Sequence, residues 1–126
     1  MGATKQVLVV DDNRLNSHLL SLLLQRLGLQ AQSASSGPQA LAMLGDGRFD
    51  LVILDLRMPE MNGERVCREI RDRLGLTALP VVACTAHRMP TERDRALAGG
   101  FDALLCKPVA LSDLRGVCTE LLKGGW

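Results

Sequence analysis

A chain of 126 residues, with 47% hydrophobic and 23% charged side chains, has the length and balance of one soluble globular domain that needs no disulfide or metal staple to fold. A formal net charge of +1, with two phenylalanines and no tyrosine, supplies neither a basic field nor a stacking platform for nucleic acid. No apolar run approaches the roughly 18 residues of a membrane span, and the stretch before Val7 lacks a signal peptide's apolar core, so a cytoplasmic protein is expected.

Val7–Val10 is a continuous β-branched-rich run, the pattern of a strand covered on both faces. Leu15–Leu27 carries Leu15, Leu19, Leu22, Leu23 and Leu27 at helical spacing, with Gly28 as its stop. Gln30–Ala34 alternates weakly and reads as a second strand. Pro38–Leu44 opens on Gly37-Pro38 and reads as a helix, since proline fits a first turn. Leu51–Leu54 is another buried strand. Glu64–Leu74 is helical, with Val66, Ile70 and Leu74 on one stripe. Val81–Cys84 is a strand launched by Pro80, and Thr91–Ala98 is a short polar helix ended by Gly99-Gly100. Leu104–Cys106 is the last strand and Leu111–Leu122 the last helix, its N-cap being either Ala110, a poor cap, or Ser112. Gly124-Gly125-Trp126 reads as a frayed tail.

Five strands alternating with five helices predict an α/β fold around a parallel sheet, with right-handed crossovers and short connections. One domain is expected, with a core over about residues 5–123 and no output domain. In such open sheets the ligand sits outside the carboxyl ends of the strands. Asp11 and Asp12 follow the first strand, Asp55 the third, Thr85 the fourth and Lys107 the fifth. Three gathered carboxylates repel one another, at about 4 kcal/mol per pair for 4 Å and an effective dielectric near 20. Only Lys107 offsets that, so either some carboxylates hold protons or a hard cation joins them, and oxygen-only ligands favour Mg²⁺. A metal, an ammonium and a hydroxyl around one carboxylate form a clamp for phosphoryl charge, and the carboxylate itself is a competent nucleophile.

Val9-Val10-Asp11-Asp12-Asn13, Leu54-Asp55-Leu56-Arg57-Met58-Pro59-Glu60-Met61-Asn62-Gly63, Cys84-Thr85-Ala86 and Cys106-Lys107-Pro108 resemble the response-regulator receiver family over nearly the whole chain. The resemblance implies a flavodoxin-like sheet of order 2-1-3-4-5 and a signalling domain, not an enzyme. It implies that Asp55 accepts a phosphoryl group from a phosphohistidine on a histidine kinase or histidine phosphotransfer protein. Asp12 then binds Mg²⁺ directly and Asp11 mainly through water, Asp55 belongs to the metal set as well, and the Arg57 backbone carbonyl completes the protein's share of the metal shell. Thr85 and Lys107 hold the phosphoryl oxygens, and the Lys107-Pro108 bond is expected to be cis. Arg57 and His87 resemble positions that tune phosphate lifetime, although His87 reads more simply as an exposed loop residue.

Leu104 departs from the pattern. The family commonly carries a Tyr, Phe or His there, a switch residue that turns inward when Thr85 moves. Leucine has no ring to swing, which implies either a domain that relays phosphate, as in a phosphorelay or hybrid histidine kinase, or a switch by another route such as loop ordering over Thr85–Pro90. The relay is the preferred reading, and a stand-alone regulator or a pseudo-receiver acting as an interaction module is the alternative. A flavin-binding module of the same fold is disfavoured, because acids after the first strand repel the phosphate. A phosphatase working through an aspartyl phosphate commonly has a second acid where Arg57 stands. Cys67, Cys84, Cys106 and Cys118 show no metal spacing and read as small buried hydrophobes, with a redox role at Cys84 or Cys106 the lesser option. A monomer is expected.

Overall fold

The computed structural model describes residues 4–86, 90–122 and 126, and for 90–93 the backbone only. The elements run β1 (Gln6–Val10), α1 (Arg14–Arg26), β2 (Gln30–Ala34), α2 (Gly37–Asp46), β3 (Leu51–Asp55), α3 (Gly63–Asp72), β4 (Val81–Thr85), α4 (Pro90–Ala98), β5 (Ala103–Cys106) and α5 (Leu111–Leu121). The five strands form one sheet in the order β2-β1-β3-β4-β5, with every neighbouring pair parallel. This is the doubly wound architecture that the alternation of patterns predicts. Asp55 and Thr85 are the last residues of their strands, which run one position past the predicted ends.

The sheet is sandwiched because its strands are apolar on both sides. Leu8, Val10, Val52, Leu54 and Ala83 point into a core shared with α2, α3 and α4. Their alternates Val7, Val9, Leu51, Ile53, Val82 and Cys84 point to the opposite core, under α1 and α5. The two-residue period of a strand makes this division, and at about 25 cal/mol per Å² of apolar surface it supplies most of the drive to fold. No helix among the described residues is long and apolar enough to cross a membrane.

Side-chain caps start three helices: Asn13 accepts from the Asn16 N–H at 3.0 Å, Ser36 from Gln39 at 3.2 Å and Asn62 from Arg65 at 2.9 Å. Ser112 lies inside α5 and caps nothing; Ala110 holds the cap position without a side-chain bond. Gly28 ends α1 at φ +85°, a left-handed conformation natural to glycine. Gly124 and Gly125 lie outside the described residues, but Trp126 is not frayed: its indole N–H donates to the Leu27 carbonyl.

The face of α1 differs from the spacing-based reading. Leu20, Leu24 and Leu27 are buried together with Ser17, while Leu15, Leu19 and Leu22 are 65%, 51% and 44% exposed. Leucines occupy so much of the helix circumference that periodicity selects no single face, and contact with β1 and β2 makes the choice.

Candidate functional site

The carboxyl ends of β1, β3, β4 and β5 deliver the five polar residues expected there. Asp11 and Asp55 are buried at 7% and 6% exposure, Thr85 at 1%, while Asp12 stands exposed at the rim. Carboxylate oxygens of Asp11, Asp12 and Asp55 lie within 4.8 Å of one another. The Lys107 ammonium sits between the two buried acids, 2.9 Å from Asp11 Oδ2 and 3.3 Å from Asp55 Oδ2. Backbone amides complete the setting: the Asn13 N–H donates to Asp11 Oδ1 at 2.9 Å, and the Arg57 N–H to Asp55 Oδ1 at 3.1 Å. Each acid is thereby held by a local turn and aimed at the common pocket.

One backbone hydrogen bond and one close backbone approach fix this geometry. The Lys107 N–H donates to the Thr85 carbonyl at 2.7 Å, and the Lys107-Pro108 bond is cis, as expected. Gly63, the first residue of α3, is pressed against the Asp55 peptide: a Cβ there would stand 2.5 Å from the Asp55 carbonyl oxygen. Any side chain at this position would push α3 and the Asp55 loop apart.

Burial raises the Asp55 pKa above the ordinary carboxylate value. The Arg57 amide and Lys107 oppose that rise, and the nearby Asp11 charge adds to it. Burial works against the Lys107 charge, yet the hydrogen bond that the ammonium donates to Asp11 and the charges of Asp55 and Asp11 outweigh it and raise its pKa. Three acids against one ammonium leave a surplus of negative charge in a partly desolvated pocket. A donor set made only of oxygens, gathered this closely, fits a small hard cation such as Mg²⁺.

Arg57 is exposed beside the pocket, and His87 lies outside the described residues. Leu104 is half-buried on β5, in register with Ala83 and packed against the α2–α3–α4 core. Cys67, Cys84 and Cys118 are buried and Cys106 is half-buried. Burial pushes the Cys84 thiol up to about 12 and the Cys118 thiol to about 11, which keeps both protonated and unreactive.

One feature near the pocket escaped the sequence reading. The exposed Leu15, Leu19 and Leu22 form an apolar stripe along α1. A cleft of about 400 Å³ runs between Leu19, Leu22 and Leu23 on one side and Pro108-Val109 on the other, with Lys107 at its inner end. An excess of leucines over what one helix face can bury was the signal available for it.

Comparison with known proteins agrees with this geometry. Residues 7–119 match the family model described as the response regulator receiver domain. The sensor histidine kinase RcsC of Salmonella typhi is 44% identical over 109 residues, covering 86% of this chain and 11% of that protein. The polar-differentiation response regulator DivK of Brucella ovis is 33% identical over 108 residues, covering 86% of this chain and 88% of DivK. Among solved structures, the receiver domain of the sensor histidine kinase PA1611 from Pseudomonas aeruginosa PAO1, with a magnesium ion coordinated in its active-site cleft, superposes with a TM-score of 0.86 at 28% identity. That match covers 95% of this chain and 98% of the other. The chain thus spans about a tenth of the RcsC kinase and most of the small regulator DivK. A parallel sheet in the expected order, an acidic pocket at its carboxyl edge and a family match across residues 7–119 lead to one conclusion: this chain belongs to the response regulator receiver domain family.

Proposed function

We propose that Asp55 is the phosphoacceptor of this receiver and takes its phosphoryl group from a phosphohistidine on a histidine kinase or histidine phosphotransfer partner. The observation that carries the reading is the setting of Asp55, a buried carboxylate 3.3 Å from the Lys107 ammonium and grouped with Asp11 and Asp12. Asp55 ends its strand with one oxygen anchored by the Arg57 amide, so the carboxylate meets the donor in a fixed orientation. An Asp55 oxygen forms a bond to phosphorus as the phosphorus–nitrogen bond of the donor imidazole breaks, and the imidazole leaves with a proton. Lys107 turns from the carboxylates toward the incoming phosphoryl oxygens, and the Thr85 hydroxyl donates to them.

Mg²⁺ would be held by Asp12 and Asp55 directly, by Asp11 through water and by the Arg57 carbonyl, and when bound it supplies neutralisation of the phosphoryl charge. The receiver reads as a relay, of the kind found in hybrid kinases, because Leu104 provides no ring for an aromatic switch and the sequence is similar to RcsC. The stand-alone alternative is favoured by the likeness to DivK, most of whose length this chain covers.

The α1 stripe supports a protein as donor. Exposed leucines bordering the mouth of the pocket give a helical partner an apolar seat, and α1 contributes Arg14 and Arg26 but no acid along its length.

Intact-mass analysis after incubation with phosphoramidate and Mg²⁺ tests the chemistry. One phosphoryl adduct is expected, absent from Asp55→Asn and blocked by chelation; a folded, metal-loaded wild type without an adduct sinks the reading. A Leu19→Glu variant separates docking from chemistry. It should label normally with phosphoramidate yet accept phosphoryl groups from a protein donor about tenfold more slowly, the loss of roughly one anchor residue. Equal rates from the protein donor would remove α1 as the seat.

A further inference from the structure

The loop that carries Arg57 from β3 into α3 is stiff, and a neighbouring helix leans on it. The Leu56 N–H donates to the Cys84 carbonyl at 3.1 Å, and the Leu56 carbonyl accepts from the Gly63 N–H at 3.1 Å, so one residue ties both ends of the loop. Between those ends Pro59 fixes its own φ, and the Met61 N–H donates to the Pro59 carbonyl at 2.7 Å. Glu60 holds φ +69°, a left-handed conformation costly for a residue with a side chain. A loop so constrained shifts as one piece instead of bending at a single residue.

α2 meets this loop through a glycine. Gly37, the buried first residue of α2, would carry a Cβ 2.8 Å from Met61 Sδ, 2.8 Å from Val66 Cγ2 and 3.2 Å from Met61 Cβ. Its φ is not positive, so what this position needs from glycine is room. Gly45, further along the same helix, has nothing within 4 Å of an added Cβ. The surroundings of the Gly37–Met61 contact give little. Ala40, Leu41 and Leu44 seat α2 in the core. Val66 is fully buried on α3, whose first residue is already pressed against the Asp55 peptide. The Met61 thioether can swing, but its Cβ moves only with the backbone. A side chain at position 37 is therefore relieved by displacing the loop at Met61.

We propose that the Gly37–Met61 contact is a positioning device for the divalent-cation site: α2 seats the loop at the height where the Arg57 carbonyl serves as a ligand. The proposal rests on the reading of Asp11, Asp12, Asp55 and the Arg57 carbonyl as the Mg²⁺ set. Gly37 touches neither cation nor phosphoryl group; it acts through Met61 on a backbone ligand earlier in the same loop. Support behind a ligand is commonly worth about ten- to a hundredfold in metal affinity, because part of the binding energy is lost in moving a misplaced ligand.

Titration of the metal-free chain with Mg²⁺, followed by the backbone amide resonances of Asp55 and Arg57, tests the device. Gly37→Ala should raise the Mg²⁺ Kd by about tenfold and shift the Arg57 resonance before any metal is added. Gly45→Ala, the same change in open space on the same helix, should leave both at their wild-type values. Met61→Ala removes the contact from the other side and should weaken binding by a smaller factor. The double variant should bind no more weakly than Gly37→Ala alone, since both changes act through one contact. A Gly37→Ala chain that melts earlier but keeps the wild-type Kd overturns the proposal, as does a raised Kd with an unmoved Arg57 resonance. Should Gly37→Ala not fold, wild-type affinity in Met61→Ala overturns it instead. A wild type whose Asp55 and Arg57 amides ignore Mg²⁺, or an Asp12→Asn chain that binds it as tightly as the wild type, removes the metal-site reading itself.

Discussion

The two ends of the sheet gather charge in opposite ways. At the carboxyl ends of the strands, three carboxylates meet one ammonium, and the pocket keeps a surplus of negative charge. At the other end the Arg71 guanidinium meets the Asp102 carboxylate and the backbone carbonyls of Leu76, Leu79 and Gly100, and four of its N–H groups are taken. The first arrangement carries more negative charge than its one ammonium offsets and is held in place by the fold around it. The second is complete in itself and helps hold that fold. A charge-balanced polar cluster reads as anchorage and one with surplus charge as a site.

The largest effect that separates these ends is expected from Arg71→Ala. Removing the guanidinium strands the carbonyls and Asp102 together, and should cost about 3 kcal/mol in urea denaturation. A loss below about 1 kcal/mol, the scale of an exposed pair, would reduce this cluster to a surface contact. Next in size is the response of the acidic end to metal. At a hundredfold excess over Kd, Mg²⁺ should stabilise the wild type by about 2.7 kcal/mol. Asp12→Asn should lose most of that gain, because it removes a charged ligand without disturbing the buried acids. Thermal melts with and without chelator read both values.

The smallest effect is a pH-dependent offset at Asp55, measured without metal. Its folded pKa lies above the unfolded value of 3.8, so the native state binds the proton more tightly than the unfolded chain. Stability from this group therefore falls as pH rises from the ordinary carboxylate range through the raised pKa. Asp55→Asn escapes that fall. Its advantage over the wild type should be full at neutral pH and vanish below the ordinary carboxylate range. An advantage that grows on acidification would contradict the raised pKa.

Much of this was legible from the sequence. Val7–Val10, Leu51–Leu54 and Val81–Cys84 are apolar on both alternating faces, which marks buried parallel strands, and sheet topology then forces Asp11, Asp55, Thr85 and Lys107 to one edge. What stayed hidden depends on distant partners. Arg71 reads as one more helical arginine because its acceptors are backbone carbonyls, the farthest of them 29 residues away. Ser17 is buried where an apolar residue would be sought, and the neighbouring leucines surround the helix. Glu60 adopts φ +69° in the loop after β3, a conformation its side chain does nothing to announce.

The indole at residue 126 has an optical consequence. The chain contains one tryptophan and no tyrosine, so ultraviolet emission comes from a single place. That place is the far end of α1, against the Leu27 carbonyl and Gly28, while Asp11 lies just before the helix begins. A helix of 13 residues puts about 20 Å between them. Intrinsic fluorescence will follow the detachment of α1 on unfolding as a clean one-fluorophore signal, and will stay silent while ions and phosphoryl groups come and go at the opposite end.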